Sequence, residues 1–116
     1  YSLGAYLKSA NPGRVTTKET TMSAYVIVHA TIKDPAKMKT YAVDSAETLA
    51  PFGGEFVFRG DVAQVLTGAH DHQRAAVLRF PDQAAVKSWY SSPAYQALIP
   101  NRDEAADMVF IGYDEI

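Results

Sequence analysis

Ala24-Tyr25-Val26-Ile27-Val28-His29-Ala30-Thr31-Ile32 is rich in β-branched and aromatic residues, the types that pack well on a pleated surface, and predicts a strand. Side chains alternate along a strand. Ala24, Val26, Val28, Ala30 and Ile32 therefore point one way, and Tyr25, Ile27, His29 and Thr31 the other. Neither set is plainly a solvated face.

Working outward, Asp34-Pro35 caps a helix whose Met38, Tyr41, Ala42, Ser45, Ala46 and Leu49 recur at helical spacing and form one inward stripe. Pro51 and Gly53-Gly54 end it, the glycine pair letting the helix pass closely into a second strand. That strand is expected to start at Glu55, bend with a bulge at Gly60-Asp61 and continue through Val62 to Thr67. Residues 68–72 then make a hairpin loop, and residues 74–80 return as a third strand. Pro81-Asp82 opens a second helix, with Ala85, Val86, Trp89 and Tyr90 on one side. Ser92-Pro93 is an N-cap followed by the first helical position, because a Ser oxygen accepts an orphan amide and Pro has none to leave unpaired. A further helix is expected from Pro93 to about Ala106, and residues 108–113 form the last strand.

The resulting order, βαββαβ, predicts an α+β ferredoxin-like fold: an antiparallel sheet with helices on one face. Helices can cover only one face of such a sheet. Residues 24–32, 74–80 and 108–113 are apolar on both, so the second face needs another cover, most simply the same sheet of a second copy. A homodimer in the form of a dimeric α/β barrel is expected.

A chain of 116 residues with 47% hydrophobic residues suits one domain with its own core. It contains no cysteine, which excludes disulfides, thiol catalysis and cysteine zinc sites, and fits a reducing compartment. A net charge of -2 with mixed signs gives no footprint for nucleic acid or an anionic membrane. No apolar run spans a bilayer and no secretion signal opens the chain, so the expected location is cytoplasmic. Two parts are expected: a polar arm over residues 1–21, either a vector-derived leader or an arm packing Leu3, Tyr6 and Leu7 on a neighbour, and a ferredoxin-like domain over residues 22–116.

Tyr25-Val26-Ile27-Val28-His29, Asp34-Pro35, Tyr41, Gly53-Gly54, Arg59-Gly60, Phe80-Pro81, Ala85, Trp89-Tyr90, Ser92-Pro93-Ala94-Tyr95 and Arg102 resemble the pattern of the family called domain of unknown function 1330. The resemblance spans nearly all of residues 22–116. It implies a ferredoxin-like subunit in a dimeric α/β barrel, within a superfamily that includes cofactor-free monooxygenases, lactone isomerases and haem-handling enzymes. The family has no settled activity. Its members usually carry a Glu before the Gly that closes the second strand; here the sequence is Leu66-Thr67-Gly68, which puts in doubt any role requiring that carboxylate, as general base or as partner for an arginine.

The densest chemistry lies at Trp89-Tyr90-Ser91-Ser92-Pro93-Ala94-Tyr95 with Arg102 two turns on. Aromatic faces beside a few polar tips suit a small-molecule pocket, and equally suit core packing at a bend. His29 could exchange a proton near neutral pH, or sit as a neutral strand histidine with one hydrogen bond. Arg59 and Arg79 could each bind a carboxylate with the guanidinium fork, or pair with Glu55 or Asp61. Arg102 could reach the pocket or pair with Asp103, Glu104 or Asp107. His70-Asp71-His72 offers metal-ligand types but no fourth ligand at a recognisable spacing, so no metal site is assigned. No Walker loop, dinucleotide fingerprint or nucleophile elbow occurs, and no cofactor is expected.

These residues define a pocket between helices and sheet that would hold a small, partly apolar organic acid: Tyr25, Arg59, Trp89, Tyr90, Ser92, Tyr95 and Arg102 for binding, His29 as the proton-exchanging group. An enzymatic version would be a cofactor-independent monooxygenase or an isomerase. The alternative from a different class is a non-catalytic dimeric module whose aromatic tract is pure core.

Overall fold

The computed structural model describes residues 23–116; the expected arm over residues 1–21 lies outside them. Four strands, β1 (Ala24–Ile32), β2 (Glu55–Asp61), β3 (Arg74–Phe80) and β4 (Ala106–Asp114), form one antiparallel sheet in the order β2-β3-β1-β4. Helix α1 (Pro35–Glu47) connects β1 to β2, while α2 (Gln83–Ser91), α3 (Pro93–Gln96) and α4 (Ile99–Ala105) connect β3 to β4. This is the ferredoxin-like arrangement expected from the residue pattern.

Local chemistry accounts for the boundaries. The Asp34 carboxylate accepts from the Ala36 and Lys37 amides at 3.1 and 3.2 Å, and Pro35 occupies the first turn, where its missing N–H costs nothing. Asp82 caps α2 by accepting from Ala85 N–H at 2.8 Å. Ser92 both ends α2 and starts α3: its hydroxyl donates to the Trp89 carbonyl at 2.7 Å and accepts from Tyr95 N–H at 3.3 Å. At the entry to β2, Gly53 adopts φ of 73°, and a Cβ on Gly54 would lie 2.6 Å from the Phe80 ring. A side chain at Gly54 would collide with the core.

Three boundaries differ from expectation. The single helix expected from Pro93 to about Ala106 is split into α3 and α4, because Pro100 cannot donate to the preceding turn and instead sits in the first turn of α4. The second strand stops at Asp61, not Thr67; residues 62–67 pair with no strand among the described residues, so the connection to β3 is longer than a hairpin turn. The bulge lies at Val57, not at Gly60-Asp61: Phe56 pairs with Leu78 and Phe58 with Val77, leaving Val57 as the extra residue.

The core lies between the helices and one sheet face. Val26, Val28, Leu78 and Phe80 project from the sheet onto Tyr41, Trp89 and Tyr95. Trp89, Tyr95 and Phe80 are its largest fully buried side chains. Register places Tyr25, Ile27, His29, Val77, Arg79, Val109, Ile111 and Tyr113 together on the opposite face. Val109, Ile111 and Tyr113 are about two-fifths exposed there and Phe58 is 54% exposed, so the single chain leaves an apolar sheet surface uncovered.

Candidate functional site

Helix α1 and the sheet enclose a cavity of about 760 Å³, within the range of small-molecule sites. Its helix wall carries Met38, Tyr41, Ala42 and Ser45; its sheet wall carries Val28, Ala76 and Leu78; Trp89, Met108 and Phe110 close the far side. Charged groups collect at β2, β3 and the exposed side of α1. Lys39, Arg59 and Arg74 line the cavity against one carboxylate, Asp61.

The two guanidinium groups differ. Arg74 is engaged by Asp61 through two contacts, Nε–Oδ1 at 2.6 Å and Nη2–Oδ2 at 3.3 Å. Arg59 is in no ion pair among the described residues and lies over the Phe56 ring at 5.1 Å. The bulge explains how it reaches the cavity. In an unbroken strand Phe56 and Arg59 would face opposite ways, whereas the extra residue Val57 puts both on the helix-facing side, Arg59 opposite Ala76.

Behind the cavity wall runs a partly buried polar chain. Arg102, with a side chain 14% exposed, donates from Nη1 to the hydroxyls of Tyr90 and Tyr95, both at 3.1 Å, and contacts Asp103 at 3.2 Å. Its guanidinium also lies over Phe110 at 5.2 Å. The Tyr95 hydroxyl meets that of Tyr41 at 2.7 Å. Burial pushes both phenols above their ordinary values; at Tyr95 hydrogen bonds with Tyr41 and Arg102 pull against that rise. The Trp89 ring packs at a tilt against the Tyr95 ring, centroids 4.5 Å apart, and its indole N–H donates to Thr48 Oγ1 at 2.8 Å.

The expected site residues thus divide into three groups. Arg59 and Trp89 line the cavity. Tyr95 and Arg102 stand behind it, Tyr90 beside them, and Ser92 serves as a cap. Tyr25 and His29 are on the other face of the sheet, so the expected partnership of His29 with Arg59 is not formed. The physical reason is pleat parity: His29 lies opposite Ala75 and Arg59 opposite Ala76, one residue apart on β3. Arg79 likewise faces away and pairs with Glu55. Ser45 entered the sequence reading only as a member of a helical stripe, and Tyr41 as a member of that stripe and of the family-like pattern. Nothing in their spacing separates a cavity-lining hydroxyl from a packed one.

On that other face His29 meets the connection between β2 and β3. Its ring lies 5.1 Å from His70 and 6.4 Å from His72, and Thr31 Oγ1 is 3.0 Å from His72 Nδ1. Among the described residues no group of three or more His, Cys, Asp or Glu is placed to hold a metal ion. Among the described residues the buried Nδ1 of His29 has no hydrogen-bond partner, and burial, followed by the neighbouring His70 and His72, holds its pKa below the ordinary histidine value. The unfolded chain therefore binds this proton first as pH falls. Stability should be fully present above the ordinary value and decline as pH drops below it. Urea midpoints measured between pH 8 and pH 5 should fall more steeply for the wild type than for His29→Leu. Identical slopes would show that His29 is not held neutral by folding.

The family model for the domain of unknown function DUF1330 matches residues 23–114. The chain belongs to that family. The solved structure of a protein of unknown function from Rhodopseudomonas palustris is similar in fold, with 18% identity, a TM-score of 0.70 and coverage of 88% of this chain and 95% of that one. So is SnoaB, a cofactor-independent oxygenase from Streptomyces nogalater, at 12% identity and a TM-score of 0.62, covering 82% of this chain and 94% of that one. A dimeric ferredoxin-like protein of unknown function from Thermobifida fusca matches at 15% identity and a TM-score of 0.53, covering 82% and 92%. At these identities the likeness is one of fold. No curated protein sequence matches this DUF1330 chain.

Proposed function

We propose that this DUF1330 protein binds a small, partly apolar organic acid in the cavity between α1 and the sheet. The observation that carries the reading is the charge of the lining: three cations face a single carboxylate, and Arg74 already takes that carboxylate in bidentate fashion. Arg59 is then the guanidinium available to an anionic ligand, while the apolar walls accept the rest of the molecule. Tyr95, Arg102 and Tyr90 support the wall, and Ser92 fixes the junction that presents Trp89 and Tyr95. The protein acts as a homodimer in which a second copy covers the sheet face bearing Tyr25, Ile27 and His29. The exposed apolar residues of that face support this, as does the similar fold of a dimeric protein.

Calorimetric titration with 4-isopropylbenzoate, and with the uncharged 4-isopropylbenzamide, tests the acid reading. The carboxylate should bind more tightly. Arg59→Lys should weaken it by about tenfold, since a point charge cannot reproduce the guanidinium fork, while changing folding stability by less than about 1 kcal/mol. Equal affinity of the acid for both proteins, or equal affinity of acid and amide for the wild type, would overturn the reading.

A second reading, a cofactor-independent oxygenase, draws on the fold shared with SnoaB and on the apolar cavity, which suits a substrate that must be kept from water. Oxygen uptake with an electron-rich phenol, absent without protein, would favour it over simple binding.

A further inference from the structure

We propose that the Tyr41 hydroxyl, on the helix wall of the cavity, is a hydrogen-bonding spot that receives a carbonyl oxygen on the ligand's apolar body. The ligand class is then a keto acid or a related acid with a second, uncharged oxygen. This deepens the acid-binding reading and rests on it for the carboxylate end.

Tyr41 and Ser45 are four residues apart on α1, so they lie one above the other on the same helix face. Both line the cavity, and each is only 6% exposed. Elsewhere the helix wall offers Pro35, Met38 and Ala42, with Lys39 at its exposed side, so these hydroxyls are the uncharged polar groups of that wall.

Direction comes from Arg102. A guanidinium only donates, so the Tyr95 oxygen accepts the Arg102 proton at 3.1 Å. Tyr95 is wholly buried and its hydroxyl faces that of Tyr41 at 2.7 Å. With Arg102 donating to it, the Tyr95 hydroxyl has Tyr41 as its remaining partner among the described residues; donating that O–H to the Tyr41 oxygen leaves the Tyr41 O–H to donate into the cavity. Each link polarises the next, with the Arg102 charge at the far end making Tyr41 a better donor than an isolated phenol. Ser45, one turn on, donates its own hydroxyl proton to the Ala42 carbonyl at 3.3 Å, so Tyr41 is the donor at this position. A carbonyl oxygen, which only accepts, is complementary to this spot.

The test compares 4-acetylbenzoate with 4-isopropylbenzoate, which share a carboxylate and a ring and differ chiefly by the ketone oxygen. Tyr41→Phe should move the affinity ratio of the two by about tenfold toward the isopropyl compound, the loss of one hydrogen bond. Tyr95→Phe should move it the same way by less. A measurement on the unmodified protein stands beside these: the ketone stretching band of bound 4-acetylbenzoate should lie below its position in an aprotic solvent such as hexane. Loss of both probes' affinity by the same factor in Tyr41→Phe, or an unshifted ketone band, would overturn the inference. Arg59→Lys separates the two readings, because it should weaken both probes equally and leave their ratio unchanged. If that variant weakens neither while Tyr41→Phe still moves the ratio, the carboxylate assignment falls and the hydroxyl spot stands. Failure of both probes to bind at millimolar concentration would remove both.

Discussion

Replacing Trp89 by Ala should cost about 3–5 kcal/mol of folding stability, the range for deleting a large buried aromatic side chain. The indole is 2% exposed and sits at the centre of an aromatic cluster, with ring centroids 4.5 Å from Tyr95, 5.3 Å from Phe80 and 6.0 Å from Tyr90. Its removal would also leave Thr48 Oγ1 without the indole N–H that it accepts at 2.8 Å. Because Trp89 lines the cavity, the void would open into existing space. Neighbouring side chains could not easily collapse to fill it, which places the cost toward the upper part of the range. Urea unfolding followed by circular dichroism measures this directly; Trp89→Phe, which keeps an aromatic ring in the cluster but loses the N–H, should cost clearly less. A loss below about 1 kcal/mol for Trp89→Ala would show that the tract is not the keystone of the core.

Ile27→Asp should convert the protein from dimer to monomer in light scattering at micromolar concentration. Ile27 lies on the central strand, opposite Val77 on one side and Ile111 on the other, in the middle of the face that the helices leave uncovered. In a two-fold interface the substitution would bury a carboxylate from each copy in an apolar setting, with no cation on its immediate strand neighbours. The cost of an unpaired buried charge, several kcal/mol for each copy, exceeds what a small interface can absorb. Far-ultraviolet circular dichroism should remain that of the folded chain, because Ile27 faces away from the core. A dimer that persists in Ile27→Asp, or a wild type that is already monomeric, would mean that this face is covered in some other way or left open.

The stretch 24–32 disclosed most of the architecture because period-two alternation and β-branched composition are local properties. The caps at Asp34, Asp82 and Ser92 were legible for the same reason: a side-chain oxygen two or three residues from the amides it accepts needs no tertiary partner. The break at Pro100 was also present in the sequence, yet the apolar spacing across residues 93–106 masked it.

The site was legible only in part. Composition singled out Trp89, Tyr95 and Arg102, and the fold brings them together around one cavity wall. What alternation could not supply was the face on which each strand residue lands once a bulge intervenes. Residue pattern alone determined the βαββαβ order, the caps and the two-faced apolar sheet, because each follows from spacing along the chain. Only the tertiary structure decided that Arg59 turns into the cavity while His29 turns away from it. That outcome depends on Val57 shifting the β2 register by one residue and on β3 setting the two side chains on opposite faces of the sheet.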